Sequence, residues 1–493
     1  MTKPSPPFLT EVKEHMEERI HTGIKRLDSL VGGGFFRSSL ILLAGNPGTG
    51  KTIFANHFIY NGAAESGEKG VYVSFSEGHK QLIEYASTLG FDFKELEEKG
   101  MVRILDMVAA KEEGVSAILE FILGEVEALG ARRLVIDSFS AMAQSFAEKI
   151  DARIVLNLIL NKIVRRLGCT TLVIVEIPVG NLGIGLGLEE FVADAVLILK
   201  RRLGLEVDGR LMREVGIVKM RGTSLEQLIY LFTLHEGFRV FPPFRAEPIQ
   251  KTECFKPMPD PPGKFSTGSQ ELDRLLDGGY PKGSTVLLEV GEDVSLSQYS
   301  LIMWPTVWDS LAKGRGYISI PSSGVDYHIV KEQLMEVGFT EDEINHLTRV
   351  FVSRFSVAPK EPYIVKLEGE NTEENYREFL KVEEELMNET GLPVVRFTGA
   401  DTLTTVFGRE VVERMLNVDA TRIREKGNLG INIIKPGHAH LVPIAGAIAD
   451  VHLKMAIQHG VLLLYGVKPS TGLHAVEMDV SRGYPLPKLT PII

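Results

Sequence analysis

Short apolar runs alternate with amphipathic stretches throughout the first half of the chain. Residues 80–89, 114–129 and 152–167 carry apolar side chains at helical spacing. Strands that alternate with helices in this rhythm predict a mainly parallel, twisted sheet flanked by helices, an α/β fold. Ligands of such sheets bind beyond the carboxyl ends of the strands. The predicted strands are 40–44, 71–75, 102–105, 134–136, 171–175 and 195–199.

The second half of the chain repeats the plan of the first. The run from Thr22-Gly23 to Gly33-Gly34 and the strand after it recur 245 residues later, from Thr267-Gly268 to Gly278-Gly279. A duplicated domain explains this echo and three others in order, whereas chance likeness between β-rich segments explains one or two. The other echoes pair GVYVSFSEG (70–78) with GYISIPSSG (316–324), REVGIVKMRGT (213–223) with VLLLYGVKPST (461–471), and GFRVFPP (237–243) with SRGYPLP (481–487).

Seven prolines among residues 241–264 divide the two halves. Proline fixes its own φ and disfavours helix in the residue before it, so this segment is predicted to be a stiff connector. We therefore expect an N-terminal arm (1–20), a first domain (21–243), a linker (244–263) and a second domain (264–493).

The composition is that of an ordinary globular protein of more than one domain. The 493 residues are 44% hydrophobic and 24% charged. A net charge of −11 makes nucleic acid an improbable main partner. Two cysteines, Cys169 and Cys254, cannot form a disulfide framework. Charges and prolines in 1–20, and Asp450 within the most apolar late stretch (442–467), argue against a signal peptide and a membrane span. We expect a cytoplasmic location.

Residues 45–52 read GNPGTGKT and match the phosphate-loop pattern G-x-x-x-x-G-K-[ST] without a mismatch. The motif follows the apolar run LILLA and opens a helical pattern, so its N–H groups and the positive end of the helix would face a phosphate. Lys51 is expected to contact the β- and γ-phosphates of ATP, and Thr52 to bind Mg²⁺. The predicted nucleotide-binding residues are Gly45, Asn46, Pro47, Gly48, Thr49, Gly50, Lys51, Thr52 and Ile53.

Three carboxylates end predicted strands near this loop. Asp137, at the end of RRLVID, is the candidate partner of Mg²⁺, although aspartates at strand ends also cap helices. Glu77 is the candidate that polarises the attacking water, with the solvated start of a helix as the alternative. Glu176 could contact the nucleotide, contact a neighbouring chain or simply cap its strand.

Together these motifs resemble the KaiC-like ATPases of the RecA superfamily across residues 21–243. The likeness rests on the loop, on YVSFSEG, LGFDF, RRLVIDS and RRLGCTTLVIVE, and on GLEEFVADAVLIL and KMRGTS, in the family's order. It implies two tandem RecA-like domains in an ATP-driven homo-oligomer, usually a hexamer, with ATP bound between neighbours. Lys219 and Arg221 match the family's trans-acting residues, which reach the γ-phosphate of the next subunit. A basic β-turn is the alternative for KMRGT.

Two departures bear on the expected activity. The family often has two adjacent glutamates where this chain has Ser76 and Glu77, which puts autokinase chemistry in doubt. Glu190 and Phe191 stand where phosphorylated members have serine and threonine, and neither residue can accept a phosphate. The first half therefore resembles a hydrolysing domain.

The second half keeps the residues of the repeated fold but not the residues predicted to bind and hydrolyse ATP. Two carboxylates there would repel a triphosphate, so we predict that this domain binds no ATP. The changed positions are Glu292 and Asp293 in the loop, Leu296 or Ser297 opposite Lys51, Ser323 opposite Glu77, and Ser470 opposite Arg221, while Lys468 keeps the place of Lys219.

Three functions remain open. The leading one is an ATP-hydrolysing regulatory protein with an unknown protein client. The second is an ATP-occupied switch that resembles the gas-vesicle regulators of the D family and binds a partner through the basic hairpin 200–213. A DNA recombinase is disfavoured because loop 180–187 contains no arginine or lysine.

Two weaker signals complete the sequence. His438 and His440 are read as a polar loop, with a metal site as the minor alternative. Val12, Met16 and Ile20 predict an amphipathic helix that docks on its own domain or a neighbour.

Overall fold

The computed structural model divides the chain into two compact units. The first ends at Pro242 and also includes Ile492–Ile493, and the second is Pro243–Pro491. Val12, Met16, loop 180–187, Glu190 and Phe191 lie outside the described residues. The structure describes residues 19–108, 115–144, 152–177, 192–250, 252–352, 357, 359–367 and 372–493.

The first unit is built on a sheet of nine strands in the order β5-β4-β6-β7-β3-β8-β9-β10-β11. Strands β3 to β8 run parallel, and β9 to β11 extend the sheet in antiparallel fashion. A separate short pair, β1 and β2, precedes the sheet. The strands are β1 (Arg19–Ile20), β2 (Phe35–Phe36), β3 (Leu40–Gly45), β4 (Gly70–Ser74), β5 (Val102–Asp106), β6 (Arg133–Asp137), β7 (Thr170–Glu176), β8 (Ala195–Gly204), β9 (Arg210–Met220), β10 (Ile229–Thr233) and β11 (Arg239–Val240).

Helices cover both faces of this sheet because its central strands are apolar on both sides. In β3, Leu42 faces one hydrophobic cluster and Ile41 and Leu43 face the other, all fully buried. Each such side chain contributes about 1.5–3 kcal/mol by burial. The helices are α1 (Leu27–Leu30), α2 (Lys51–Ser66), α3 (His79–Thr88), α4 (Phe93–Glu98), α5 (Val115–Leu129), α6 (Phe139–Gln144) and α7 (Ala152–Ile159), which continues as a π-helical stretch, Leu160–Arg165.

The second unit contains a sheet of ten strands in the order β17-β16-β15-β18-β19-β14-β20-β21-β22-β23, again parallel up to β20. Its strands are β12 (Lys264–Phe265), β13 (Tyr280–Pro281), β14 (Thr285–Val290), β15 (Tyr317–Ile320), β16 (Thr348–Val352), β17 (Ile364–Lys366), β18 (Val395–Gly399), β19 (Leu429–Ile434), β20 (Val451–Gln458), β21 (Val461–Lys468), β22 (His474–Asp479) and β23 (Leu486–Pro491). Its helices are α8 (Gln270–Leu275), α9 (Leu296–Ala312), α10 (Tyr327–Met335), α11 (Glu341–Leu347), α12 (Thr372–Thr390), α13 (Ala400–Phe407), α14 (Arg409–Lys426) and α15 (Val442–Ile448).

The two sheets share one strand order, with β17 as an added edge strand of the second. Both carry a register shift at the same step, Val196/Leu197 in β8 and His452/Leu453 in β20. The prediction of two tandem α/β domains is therefore confirmed. The echo that pairs residues 237–243 with 481–487 was wrong. Phe232 pairs with Val240 in the first sheet, and Val476, the equivalent of Phe232, pairs with Leu489 in the second, so Val240 corresponds to Leu489. The matched segment 481–487 lies too early in the chain.

Two segments differ from or extend what the sequence predicts. Ile20 lies in strand β1 and is buried, not in the expected helix. Residues 244–263 contain no helix or strand where they are described, and Phe255 donates a backbone hydrogen bond to the Val337 carbonyl within the second unit. Among the described residues, no helix is both long and apolar enough to cross a membrane.

The glycine-rich turn before β3 is tightly constrained. Gly34 has φ +115°, and a Cβ at this position would lie 2.0 Å from the Ile20 carbonyl oxygen. Gly279 repeats the arrangement in the second unit, 2.3 Å from the Phe265 carbonyl oxygen. Both positions therefore require glycine.

We expect Gly34→Ala to lower the free energy of unfolding of the first unit by more than about 2 kcal/mol, because backbone must move to admit the methyl group. Gly67→Ala is the matched control, since Gly67 also has positive φ but its Cβ would meet nothing within 4 Å. Urea denaturation of the full chain measures both variants. Equal losses would contradict the proposed steric cause.

Candidate functional site

The phosphate-loop motif forms the turn between β3 and α2. Gly48 and Gly50 have φ of +73° and +102°, which glycine adopts without strain. The Asn46 side-chain amide donates to the Ile177 carbonyl at 2.9 Å, and the Thr49 hydroxyl donates to the Asn46 carbonyl at 2.8 Å. These bonds hold the turn at the carboxyl edge of the sheet, with the amino end of α2 directed toward it.

Lys51 is the first residue of α2 and is buried. Its ammonium group donates to the carbonyl oxygens of Gly45 and Asn46 at 3.0 and 2.9 Å. Burial lowers the pKa of Lys51, and the charges of Glu176 and Asp137 oppose that shift. The ammonium group is thus held inside the loop by weak neutral acceptors, which a phosphate oxygen can replace.

Thr52 and Asp137 come together across the sheet edge. The Thr52 hydroxyl donates to Asp137 Oδ2 at 2.9 Å, and the Tyr72 hydroxyl donates to the same oxygen at 2.7 Å. Burial raises the pKa of Asp137, although both hydrogen bonds and Lys51 oppose the shift. A hydroxyl beside a carboxylate is the oxygen donor set that Mg²⁺ prefers.

Glu77 lies on the loop that follows β4, and its side chain is partly exposed. The Ser74 hydroxyl fixes this loop, because it donates to the Glu77 carbonyl at 2.6 Å and accepts from the Glu77 N–H at 3.1 Å. Burial, followed by the charge of Asp137, raises the pKa of Glu77. A carboxylate with a raised pKa is suited to accept a proton near neutral pH.

These groups line one cleft of about 330 Å³. Glu176 also lines it, at the end of the strand next to β3, so the structure places this glutamate at the cleft. The predicted loop residues Gly45, Asn46 and Thr49 are not among the lining residues. Asn46 and Thr49 make the hydrogen bonds that fix the turn, and the Gly45 carbonyl accepts from Lys51. The lining residues are Pro47, Gly48, Gly50, Lys51, Thr52, Ile53, Ser74, Ser76, Glu77, Asp137, Glu176 and Leu234.

The described residues contain no group of three or more His, Cys, Asp or Glu side chains that would hold a metal ion alone. A cation beside Thr52 and Asp137 would therefore need ligands from a nucleotide, as Mg²⁺ commonly does. The cleft offers one ammonium group, loop N–H groups and a helix terminus for the phosphates, and carboxylates for the cation. This donor set fits Mg·ATP.

Lys219 and Arg221 lie at the opposite end of the strands, near the residue at which β3 begins. Arg221 donates to Asp194 Oδ1 at 3.3 Å, and Asp194 Oδ2 accepts from the N–H of Leu40, the first residue of β3. The phosphate loop follows the last residue of β3, five steps or about 16 Å further along the strand. Neither basic side chain can reach the cleft of its own chain. Burial lowers the pKa of Lys219, and Arg221 adds to the shift.

The second unit lacks this cleft chemistry. Leu296 begins α9 as Lys51 begins α2, which settles the one-residue ambiguity in the loop. Strand pairing puts Gly399 at the place of Asp137, because Leu134 and Arg396 pair with the equivalent residues Thr171 and Gly430 of the next strand. Leu296 instead lines an apolar pocket with Met303, Trp304 and Phe397 among others.

Lys468, which occupies the place of Lys219 in the second unit, contacts the end of a helix. Lys468 donates to the Ala449 carbonyl at 2.6 Å, at the end of α15. This contact stabilises the carbonyl end of a helix. His438 and His440 lie in a short 3₁₀ stretch, Pro436–Leu441, with ring centroids 6.0 Å apart.

The predicted hairpin 200–213 is present, formed by β8 and β9, and part of its basic rim meets acidic neighbours of the same unit. Arg202 pairs with Glu214 and Glu206 at 2.7 and 2.9 Å. Arg213 is buried and donates to the Gly48 carbonyl at 3.2 Å. Some basic side chains of the hairpin thus form ion pairs or hydrogen bonds within the first unit.

Sequence reasoning missed two residues of this arrangement. Tyr72 sits in an alternating apolar run, where an aromatic residue suggests only core packing. Asp194 lies in the motif GLEEFVADAVLIL, and the sequence predicted no contact for it. Both contacts depend on strand neighbours that the sequence does not reveal.

Comparison with known proteins agrees with this geometry. A family model described as "ATPase: KaiC" matches residues 20–243. A UPF0273 protein of Pyrococcus horikoshii is 32% identical over 243 residues, which cover 46% of this chain and 95% of that protein. The circadian clock oscillator protein KaiC of Synechococcus elongatus is 32% identical over 286 residues, 55% of this chain and 51% of KaiC. The chain thus spans about half the length of the KaiC proteins it matches.

Two further matches were found. A crystal structure of a KaiC-like protein from Pyrococcus horikoshii is 39% identical, covers 45% of this chain and 99% of its own, and gives a TM-score of 0.41. A second family model, "GvpD basic region 2", matches residues 254–353. That segment has eight lysines and arginines against 14 aspartates and glutamates, so it is acidic in this chain.

The family assignment rests on the first unit. It has the phosphate loop and the carboxylates at the neighbouring strand ends, and the relatives are about a third identical to this chain over the matched residues. The second unit repeats the fold without the cleft residues. The chain belongs to the KaiC-like ATPases of the RecA superfamily.

Proposed function

We propose that the first unit binds and hydrolyses ATP and that the protein is a regulatory ATPase whose active site is completed by a neighbouring subunit. The observation that carries this proposal is the single cleft in which Lys51, Thr52, Asp137 and Glu77 meet. The KaiC family model over 20–243 supports the same activity.

The cleft residues have distinct roles in this mechanism. Lys51 leaves the loop carbonyls and binds the β- and γ-phosphates, while the loop N–H groups and the amino end of α2 bind the remaining oxygens. Thr52 and Asp137 hold Mg²⁺, which would neutralise phosphate charge and orient the γ-phosphate. Glu77 accepts the proton of the attacking water and is positioned for this by Ser74.

The position of Arg221 argues for a shared site. Its guanidinium is at the end of the strands opposite its own phosphate loop, held by Asp194. In an assembly it would reach the γ-phosphate of the next subunit, together with Lys219, where such a group is worth roughly 10³–10⁵ in rate. We therefore propose a homo-oligomer, on the hexameric plan that the family resemblance implies.

A second candidate is an ATP-occupied regulatory switch with negligible hydrolysis. The match of residues 254–353 to a gas-vesicle regulator region favours it. It locates the resemblance in the second unit, not in the hairpin 200–213. Because the segment is acidic here, its partner would present a basic surface. The two candidates differ in turnover and not in nucleotide binding.

Mixing two inactive variants tests hydrolysis at a shared site. Glu77→Gln and Arg221→Ala should each lose nearly all ATPase activity alone. Mixed one to one and allowed to exchange, they should recover about a quarter of the wild-type rate, since that fraction of random neighbours combines an intact Glu77 with an intact Arg221. Phosphate release measures the rates.

The outcomes of that experiment are distinct. Mixing without recovery would contradict a site shared between chains, and phosphate release at equal rates in the wild type and both variants would favour the switch. Lys200→Ala serves as control, because Lys200 is an exposed residue of β8 outside the cleft lining.

Asp137→Asn tests the cation role separately from turnover. Burial raises the pKa of Asp137 in the folded chain, so its charge destabilises the nucleotide-free protein above that pKa. The variant should melt at a higher temperature than the wild type at pH 7, and the difference should fade as the pH falls toward the ordinary pKa of aspartate, where the wild-type carboxylate becomes protonated.

Added Mg·ADP should then stabilise the wild type and not Asp137→Asn in thermal melts. Asp92→Asn, a change at the cap of α4, is the matched control and should leave both responses unaltered. A variant that melts lower than the wild type and responds fully to Mg·ADP would exclude the assigned role.

Nucleotide stoichiometry tests the second unit. We expect one ATP per wild-type chain and none per Lys51→Ala chain, since the second unit has Leu296 at the position of Lys51 and Gly399 at the position of Asp137. Equilibrium binding of ATP to the full chain measures both values. Residual binding of one nucleotide by Lys51→Ala would show that the second unit is a working site.

A further inference from the structure

Asp137 has a partner that belongs to neither the phosphate loop nor the water-activating loop. Tyr72 lies in the middle of β4 and is fully buried, and its hydroxyl donates to Asp137 Oδ2 at 2.7 Å. Strand β4 is the direct neighbour of β6, which ends with Asp137. The contact is therefore set by the register of two central strands.

Packing alone does not account for this hydroxyl. The Tyr72 ring fills one core cluster of the first unit, together with Phe54 and Val135 among others, and phenylalanine would serve that purpose. A buried tyrosine hydroxyl needs an acceptor, and here the acceptor is the carboxylate of the cation site. Burial and the nearby charges of Asp137 and Glu77 raise the pKa of Tyr72, so it stays a donor.

The two hydroxyl partners of Asp137 differ in what nucleotide binding does to them. Thr52 begins the helix after the phosphate loop, and its oxygen would become a cation ligand. Tyr72 is fixed within the sheet and has no access to the nucleotide. Once Thr52 turns toward the cation, Tyr72 is the described side chain that still donates to Asp137 Oδ2.

We propose that Tyr72 is a positioning residue for the cation site, whose hydroxyl holds the Asp137 carboxylate in the orientation that binds Mg²⁺. This inference rests on the proposed function of the first unit. Outer partners of metal sites fix the orientation of the groups that contact the metal. Tyr72 would thus tune cation affinity without contacting ATP.

Tyr72→Phe tests this in the full chain. Titration with Mn²⁺ in the presence of ADP, followed by electron paramagnetic resonance, should show an affinity about 10-fold weaker than in the wild type. ADP affinity measured in EDTA should be unchanged. Tyr230→Phe, which removes another buried tyrosine hydroxyl of the same unit, should bind Mn²⁺ as the wild type does.

A double-mutant cycle with Asp137→Asn identifies the route of the effect. In the Asp137→Asn background, Tyr72→Phe should cause no further loss. Wild-type Mn²⁺ affinity in a folded Tyr72→Phe chain, or an equal loss of ADP affinity in EDTA, would overturn the inference. Should Tyr72→Phe not fold, Tyr72→Met replaces it, because methionine lacks the hydroxyl and repacks readily. A wild-type chain that binds ADP but no Mn²⁺ would instead refute the proposed cation site.

Discussion

The hydrogen bond from the Thr52 hydroxyl to the Asp137 carboxylate joins the helix after β3 to the end of β6. Strand β7 lies between those two strands, so the bond forms only because the sheet order brings their carboxyl ends to one edge. The phosphate loop, the proposed cation site and the loop with Glu77 are all positioned relative to this bond. Because β9 runs antiparallel to β8, Arg221 lies at the opposite end of the strands, beside the first residue of β3. An active site that needs both the cleft residues and Arg221 is therefore incomplete within one chain.

Local patterns in the sequence predicted much of this arrangement. The strands, the phosphate loop and the carboxylates at strand ends could be found because each is a contiguous signal with a physical reason. Contacts between strands could not be found that way. The Tyr72 and Asp194 hydrogen bonds depend on which strands are neighbours, and Ile20 pairs with Phe35 although its spacing suits a helix. The misaligned final echo has the same cause, since only the strand register fixes it.

The two units show which residues maintain the fold and which maintain chemistry. Asp450 repeats the role of Asp194, because each accepts a hydrogen bond from the first residue of the central strand. Asp28 and Asp273 likewise accept from Thr22 and Thr267 at 2.8 and 2.7 Å. These scaffold contacts persist in both units. The charged residues of the cleft do not, and Lys468 instead donates to a carbonyl at the end of α15.

The most direct test of the account is a structure of the full chain with Mg²⁺ and a non-hydrolysable ATP analogue. We expect the triphosphate in the cleft of the first unit, its γ-phosphate approached by Arg221 of a second copy, and no nucleotide in the second unit. A first unit whose cleft stays empty would contradict the central claim. So would a nucleotide enclosed by one chain alone, with Arg221 still on Asp194 and full activity as a monomer.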